Sequence, residues 1–406
     1  MKLFGFNIER KADLTIDQVI QRLEAIFATS SGVAVTPTTC LESPTVQAIV
    51  NAISMRVATL PIHVYKKTVK DGRAIKEPQP SHPVAKLLAN PNGWQTNVAY
   101  WLDAVSTTVR YGQFVAVKGR GITGPIRKLW PVLPSSVQWV QDDSLEVSAR
   151  VTTASGKQRD YAMSDLHHVR GAARDFLNAD SPVVLAREAI ALEIAAQRFG
   201  ATFFGNGAMP GLIFSYMQGT KGHMSAEQRS SFIRSFSENY GKTGRFKAVM
   251  LPQGIDKPEQ LNIENDKAQF LETRKLQRSV IAGAFGVPPH LVGDLDRATF
   301  SNIEQQSSEF VEKVVLPYCR MFEAAIERDL LTAEDRSSGV IVRFNLDAAL
   351  RADFKTRQEG MKIQREMGVV SANDWREREG MNPREGGDEY WEQGPSGQGM
   401  SPEPQE

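Results

Sequence analysis

The stretch LQRSVIAGAFGVPPHLVGDLDRATFSNIEQQSSEF, residues 276–310, reads as two helices interrupted by a Gly-Val-Pro-Pro corner and a short run of alternating charge. Pro288 and Pro289 stop the first helix, because proline has no N–H to donate and its ring clashes with the preceding turn. Ser301 and Glu304 form an S-x-x-E capping box, so a second helix is expected from Ser301 to about Leu331, bent at Pro317. Between the two, Gly293, Asp294, Asp296 and Arg297 form a polar, turn-prone loop with little apolar material to anchor it.

Working outward, DKAQFLETRKLQRSVIAGAF (266–285) and SAEQRSSFIRSFSENYG (225–241) are both helical in pattern, mixing charged and apolar faces. They enclose RFKAVMLP (245–252) and EQLNIEN (259–265), two strands around the turn QGIDKP. The expectation is a helical hairpin with a β tip. Further upstream, SPTVQAIVNAISMRVATLPIHVYKK begins as a helix at Ser43 and Pro44 and turns into a strand after Pro61. HPVAKLLANPNGWQTNVAYWLDAVSTTVRYG gives two helices about an Asn-Pro-Asn-Gly turn, and residues 113–170 switch to short strands with a period of two. SPVVLAREAIALEIAAQRFGATFFGNG returns to one helix, and LTIDQVIQRLEAIF near the N-terminus is a short amphipathic one. After the strand GVIVRFN come polar helices, and the Gly-, Pro- and Glu-rich tail beyond Gly386 reads as disordered.

Composition excludes several classes. The chain has 406 residues, 41% hydrophobic and 23% charged, with 48 Lys plus Arg against 47 Asp plus Glu, a net charge of +1. That balance lacks the basic excess of a tight nucleic-acid binder. Cys40 and Cys319 offer neither a disulfide framework nor a metal pair, which fits a reducing compartment. The most apolar segment is broken by Arg187, Glu188 and Glu193, so no membrane span is expected. GRGITG satisfies a glycine pattern at Gly119, Gly121 and Gly124, but Pro125 follows and no helix opens to receive a pyrophosphate. YGKTG ends like a phosphate loop, yet the first glycine of that motif would fall at Phe236. His167 and His168 point to opposite faces of a strand, and the other histidines lack carboxylate or cysteine spacing for a metal. Structural or solvent-facing roles are expected for all of them. An enzyme with dispersed catalytic residues stands as the alternative reading.

Several segments, in order, resemble the portal protein family of tailed bacteriophages with an HK97-type head. They include HPVAKLLANPN, LWPVLPSSVQ, FFGNGAMPGLIF, AVMLPQG, RSVIAGAFGVPPHLVGDLDRATFSNIEQQ and MGVVSANDWREREGMNP. The resemblance implies an α+β portal fold with a mixed wing, a helical stem hairpin, a small β clip and a helical crown. On this numbering an N-terminal arm covers 1–30, the wing 31–224, stem helices 225–241 and 266–285, and the clip 242–265. A tunnel loop covers 286–300, the wing returns over 301–350, the crown covers 351–385 and the tail 386–406.

It also implies a ring, usually of twelve copies, at one vertex of a virion's capsid, assembled in the host bacterial cytoplasm, through which double-stranded DNA passes without sequence specificity. Gly293, Asp294, Asp296 and Arg297 would face that DNA, and Arg245, Lys247, Asp256 and Lys257 would dock partners on the clip. Those partners would be the terminase large subunit, a head-completion or adaptor protein and the major capsid protein. No catalytic residue, cofactor, metal or membrane is expected.

Overall fold

The computed structural model of the chain describes residues 2–3, 6–7, 29–70, 73–120, 124–153, 155–173, 176–205, 212–213, 215, 224–240, 255–256, 259–260, 267–295, 300–346, 354–379, 381 and 383–391. Two short strands, β1 (Lys2–Leu3) and β2 (Phe6–Asn7), pair antiparallel at the N-terminus. The helix expected over LTIDQVIQRLEAIF lies outside the described residues.

Helix α1 (Pro44–Ala58) begins where Ser43 Oγ accepts the Val46 N–H at 3.1 Å, and Pro44 occupies a first-turn position that needs no donor. It buries Val46, Ile49, Val50, Ile53 and Val57, a single stripe at helical spacing. Pro61 then releases the chain into β3 (Ile62–Lys70), which turns back as β4 (Arg73–Pro78). Helix α2 (Pro83–Ala89) is capped by His82, whose Nδ1 accepts the Val84 N–H at 3.2 Å. Helix α3 (Asn97–Tyr111) ends at Gly112 with φ 75°. A Cβ there would lie 2.1 Å from the Asp180 carbonyl oxygen, so both the turn and the close approach require glycine.

The period-two region forms two antiparallel three-stranded sheets. Strands β5 (Gln113–Arg120), β6 (Ile126–Val132), β7 (Val137–Gln141), β8 (Val147–Thr152), β9 (Gln158–Ala162) and β10 (Leu166–Arg170) pair in the orders β10-β5-β6 and β7-β8-β9. One face of β5 presents Phe114 and Ala116 to the main core. The other presents Val115 to a satellite core with Trp139, Ala149 and Leu166. Both faces are covered, so this strand reads as a continuous apolar run rather than an alternation.

The helix expected from Ser181 divides at Ala186 into α4 (Pro182–Leu185) and α5 (Arg187–Gly205). Then follow β11 (Leu212–Ile213), α6 (Ala226–Tyr240), β12 (Glu259–Gln260), α7 (Lys267–Ala284), α8 (Phe300–Phe310), α9 (Leu316–Asp329), α10 (Ala333–Ser337), β13 (Val340–Phe344), α11 (Phe354–Glu366) and α12 (Ala372–Arg378). Helix α8 starts at Phe300, so Ser301 sits inside the first turn instead of capping it. A π turn over Val311–Val315 joins α8 to α9. Pro317 supplies the reason: it cannot donate to the Lys313 carbonyl, and the wider turn accommodates its ring.

Edge-to-face aromatic contacts tie α3 to β5 and α9. Tyr100 meets Phe114 at 6.0 Å between centroids, and Trp101 meets Phe322 at 5.9 Å. Helix α9 also closes the exposed edge of sheet β13-β3-β4. Glu323 Oε1 accepts the Phe344 N–H and Glu327 Oε1 the Val342 N–H, each at 2.8 Å, so two of the outward ladder donors are taken by side chains of the helix.

The tail departs from expectation just past Gly386. Asn373 donates its N–H to the Gly387 carbonyl at 2.8 Å, and its Nδ2 reaches the Arg384 carbonyl and Asp388 Oδ1, each at 2.9 Å. Arg365 donates to the Glu389 carbonyl at 2.7 Å. Composition alone marked this segment as disordered, whereas it is held by Asn373 and Arg365 as far as Glu389. Residues 392–406 lie outside the described residues.

Candidate functional site

The corner after α7 is a complete Schellman motif. Gly286 at φ 68° donates to the Gly283 carbonyl at 3.0 Å, and Val287 donates to the Ala282 carbonyl at 2.9 Å. Val287 is buried, Pro288 runs extended, and Pro289–Val292 makes one 3-10 turn that ends at Gly293 with φ 80°. The approach to the loop is anchored by buried Val287 and Val292, and Gly293 and Asp294 themselves are held by polar contacts. Val292 is buried, His290 Nδ1 lies 2.9 Å from Gln306 Oε1, Arg278 donates to the Gly293 carbonyl at 3.3 Å, and Ser279 Oγ donates to Asp294 Oδ2 at 3.4 Å. Gly293 and Asp294 thus lie together over α7, with Leu295 beyond them 62% exposed. Asp296 and Arg297 lie outside the described residues. Sequence reasoning missed Arg278 and Ser279, since helix periodicity carries no signal that one turn of a helix will hold a later loop.

Helices α6 and α7 match their expected spans to within two residues. The described side chains of α6 are mostly exposed, whereas the C-terminal half of α7 packs against α5 and α1. Ile233 on α6 is 59% exposed, and on α7 Leu276 and Val280 remain exposed until Ile281 and Ala282 enter the core. Of the four residues expected on the clip, Asp256 is described and exposed, its N–H bonded to the Ser215 carbonyl at 2.8 Å. Arg245, Lys247 and Lys257 lie outside the described residues, as does the strand expected over 245–252. Strand β12 pairs with β11, in register Leu212 to Gln260 and Ile213 to Glu259. The segment before α6 therefore contributes to the same small sheet.

Far from the loop, a buried polar cluster joins β5, β10 and α9. His167 Nδ1 lies 3.1 Å from Asp329 Oδ2, which also accepts the His168 N–H at 2.9 Å and an Arg328 guanidinium N–H at 2.9 Å. Lys118 donates to the Asp329 carbonyl at 2.6 Å and the Ser164 carbonyl at 3.1 Å. On the opposite strand face His168 Nε2 pairs with Gln113 Oε1 at 3.0 Å and its ring stacks on Trp139 at 4.3 Å. Burial pulls His168 down to about 3, with the Arg328 charge adding to it. Burial alone would raise Asp329, but hydrogen bonds from His167 and Arg328 hold its carboxyl well below the usual range. Burial likewise lowers Lys118.

A His–Asp pair invites a catalytic reading, yet His167 is fully enclosed and its Nε2 has no hydrogen-bond partner among the described residues. The cluster fastens strands β5 and β10 to helix α9. Burial also pushes the two thiols up, Cys40 to about 11 and Cys319 to about 12, so neither is an activated nucleophile. Among the described residues no group of three or more His, Cys, Asp or Glu side chains could hold a metal, and no helix is long and apolar enough to cross a membrane.

The order of a mixed sheet body, a helix pair around a small sheet, a proline corner and a final helix pair has known counterparts. The family model described as phage portal protein matches residues 44–380. The chain belongs to the phage portal protein family. It is 30% identical over 351 residues to the portal protein of Enterobacteria phage HK97, covering 86% of this chain and 81% of that one. It is 31% identical over 393 residues to the probable portal protein of Streptomyces phage phiC31, covering 93% and 82%. Among solved structures it is similar in fold to an HK97-family phage portal protein from Corynebacterium diphtheriae, with a TM-score of 0.57, 17% identity, and coverage of 79% and 99%. A chain in the neck of a native gene transfer agent particle, computed with C12 symmetry, matches with a TM-score of 0.55 and 19% identity, covering 90% and 100%. Portal proteins are a structural rather than a catalytic family, and the α+β architecture described above is theirs.

Proposed function

We propose that copies of this chain close into a ring, of twelve in the particle, at one vertex of a phage-type capsid, and that double-stranded DNA passes through the ring during packaging and ejection. The observation that carries this reading is the exposed apolar surface of α6 and α7. Ile233, Leu276 and Val280 stand exposed on these two long helices. A helix pair of that kind gains stability from identical neighbours, and a head-to-tail contact that closes on itself makes a ring.

In this arrangement α6 and α7 form the stem, residues 242–265 the clip, and Gly293, Asp294, Asp296 and Arg297 the DNA-facing loop. Arg278 and Ser279 position that loop through the Gly293 carbonyl and the Asp294 carboxylate. Carboxylates at Asp294 and Asp296 repel phosphates, so DNA is guided without being gripped. The net charge of +1 fits passage, since each phosphate neutralised by Lys or Arg would add counterion-release affinity. The clip, including Arg245, Lys247, Asp256 and Lys257, receives the terminase large subunit and afterwards a head-completion protein, while the wing meets the major capsid protein. Electron microscopy of the purified chain tests the reading, which requires closed rings formed without any cofactor.

A further inference from the structure

Two non-glycine residues among those described have positive φ, Leu145 at 67° and Phe176 at 62°. Both are large and apolar, and they are 74% and 85% exposed. Left-handed backbone is disfavoured for a bulky side chain, and here it holds each one out in water, where it contributes nothing to the chain's own core. Neither is a loose end. Asp142 Oδ1 accepts the Ser144 N–H at 2.9 Å, the Ser144 hydroxyl at 2.7 Å and the Glu146 N–H at 2.9 Å, while Leu145 donates to the Asp142 carbonyl at 3.0 Å. The carbonyl of Phe176 accepts from the Arg170 guanidinium, and neighbouring Leu177 packs with Val147 against the satellite core. Leu145 is thus fixed at the β7–β8 turn, while Phe176 is held to Arg170 of β10 in the neighbouring sheet.

The tip of that sheet is acidic as well as apolar, with Asp142, Asp143 and Glu146 all exposed around Leu145. The outer surface of β6 has the complementary character: Arg127, Lys128 and Trp130 are exposed, and Leu133 just beyond is 60% exposed. Lys128 Nζ sits 5.3 Å from the Trp130 ring centroid, and Gly119 leaves the indole room, since a Cβ there would come within 3.0 Å of Trp130 Nε1. Although β6 is an edge strand, its Leu129 N–H is taken by the Pro91 carbonyl at 2.7 Å and Pro131 has none to offer. A partner therefore meets its side chains instead of adding a strand. Within one chain tip and face are kept apart, because β7 carries the tip about 17 Å onward at roughly 3.3 Å per residue.

We infer that the β7–β8 tip of one copy docks on the β6 surface of the next, with Leu145 against Trp130 and Leu133 and with Asp143 and Glu146 facing Arg127 and Lys128. This rests on the ring reading above and specifies a contact that repeats around it. The two surfaces differ, as a head-to-tail contact requires, and their opposite charges fix which way it runs.

Charge exchange provides the test, read by light scattering and native mass spectrometry of differently tagged chains. The pair D143K/E146K and the pair R127E/K128E, each alone, should raise the concentration needed for ring assembly by roughly tenfold, with the effect shrinking as salt is added. Mixing the two variants should restore assembly as alternating rings, because each basic tip then meets an acidic face and each acidic tip a basic one. Leu145→Gly should weaken assembly in the same way while leaving the isolated chain as stable as the parent or more so, having relieved the strain. If the variants assemble like the parent, or if mixing fails to restore rings that the parent forms, the docking assignment is wrong while the ring reading stands. A parent chain that never forms rings would overturn both.

Discussion

The Nδ1 of His167 lies 3.1 Å from the carboxylate of Asp329, joining strand β10 to the last residue of α9 across 162 positions of sequence. That contact is the centre of a network in which one carboxylate also accepts from the His168 backbone and from Arg328. Asp329→Asn removes the charge and turns one acceptor into a donor facing other donors. The expected loss is about 3 kcal/mol of folding stability, since breaking a buried ion pair on one side leaves its partners uncompensated. Urea unfolding of the variant and the parent at neutral pH measures it.

His168 makes the protein sensitive to acid. Its folded value of about 3 is well below the ordinary 6.5, so as pH falls below 6.5 the unfolded chain takes up a proton that the native chain refuses. Stability then drops by up to about 1.4 kcal/mol per pH unit, reaching roughly 3 kcal/mol at pH 4.5. Asp329, held low, gives up its contribution only below the usual carboxylate range, through its folded value, so it does not offset this loss. His168→Gln should flatten the decline: the stability difference between parent and variant should shift by about 3 kcal/mol in the variant's favour between pH 7.5 and pH 4.5. Parallel curves would show that other groups govern the acid response.

Replacing Asp294 and Asp296 by Lys should leave rings intact and slow DNA packaging, roughly threefold or more at low salt and less at high salt, because two cations that bind phosphate replace two charges that repel it. A packaging assay across salt concentrations reads this directly. Unchanged rate and extent at every salt would remove the loop from the channel.

At the clip, Asp256→Lys combined with Lys257→Glu should weaken motor binding by roughly tenfold while rings assemble normally, as expected for charges on a docking rim. Pull-down of the packaging motor by assembled rings provides the measurement. Binding that survives broader substitution of this tip would move the docking surface elsewhere.

Helices were legible wherever apolar spacing and caps agreed. Ser43 with Pro44 marked the start of its helix to within a residue. The proline corner was legible for the same reason, since Pro288 and Pro289 permit few conformations. What the pattern missed depends on distant partners. His167 and His168 could be read as exposed until α9 brought Asp329 against them, and the tail past Gly386 looked structureless because Asn373, its anchor, lies earlier in the chain. Likewise β12 pairs with β11 across the whole of α6, a pairing that no local period encodes. For the loop, sequence supplied Gly293 and Asp294, but their support by Arg278 and Ser279 exists only once α7 and the loop are folded together.

Electron microscopy of the purified full chain at micromolar concentration and moderate salt, with no cofactor added, tests the central claim most directly. The account predicts closed rings with a central opening, of one size or of several neighbouring sizes. A uniformly monomeric population under those conditions would contradict it.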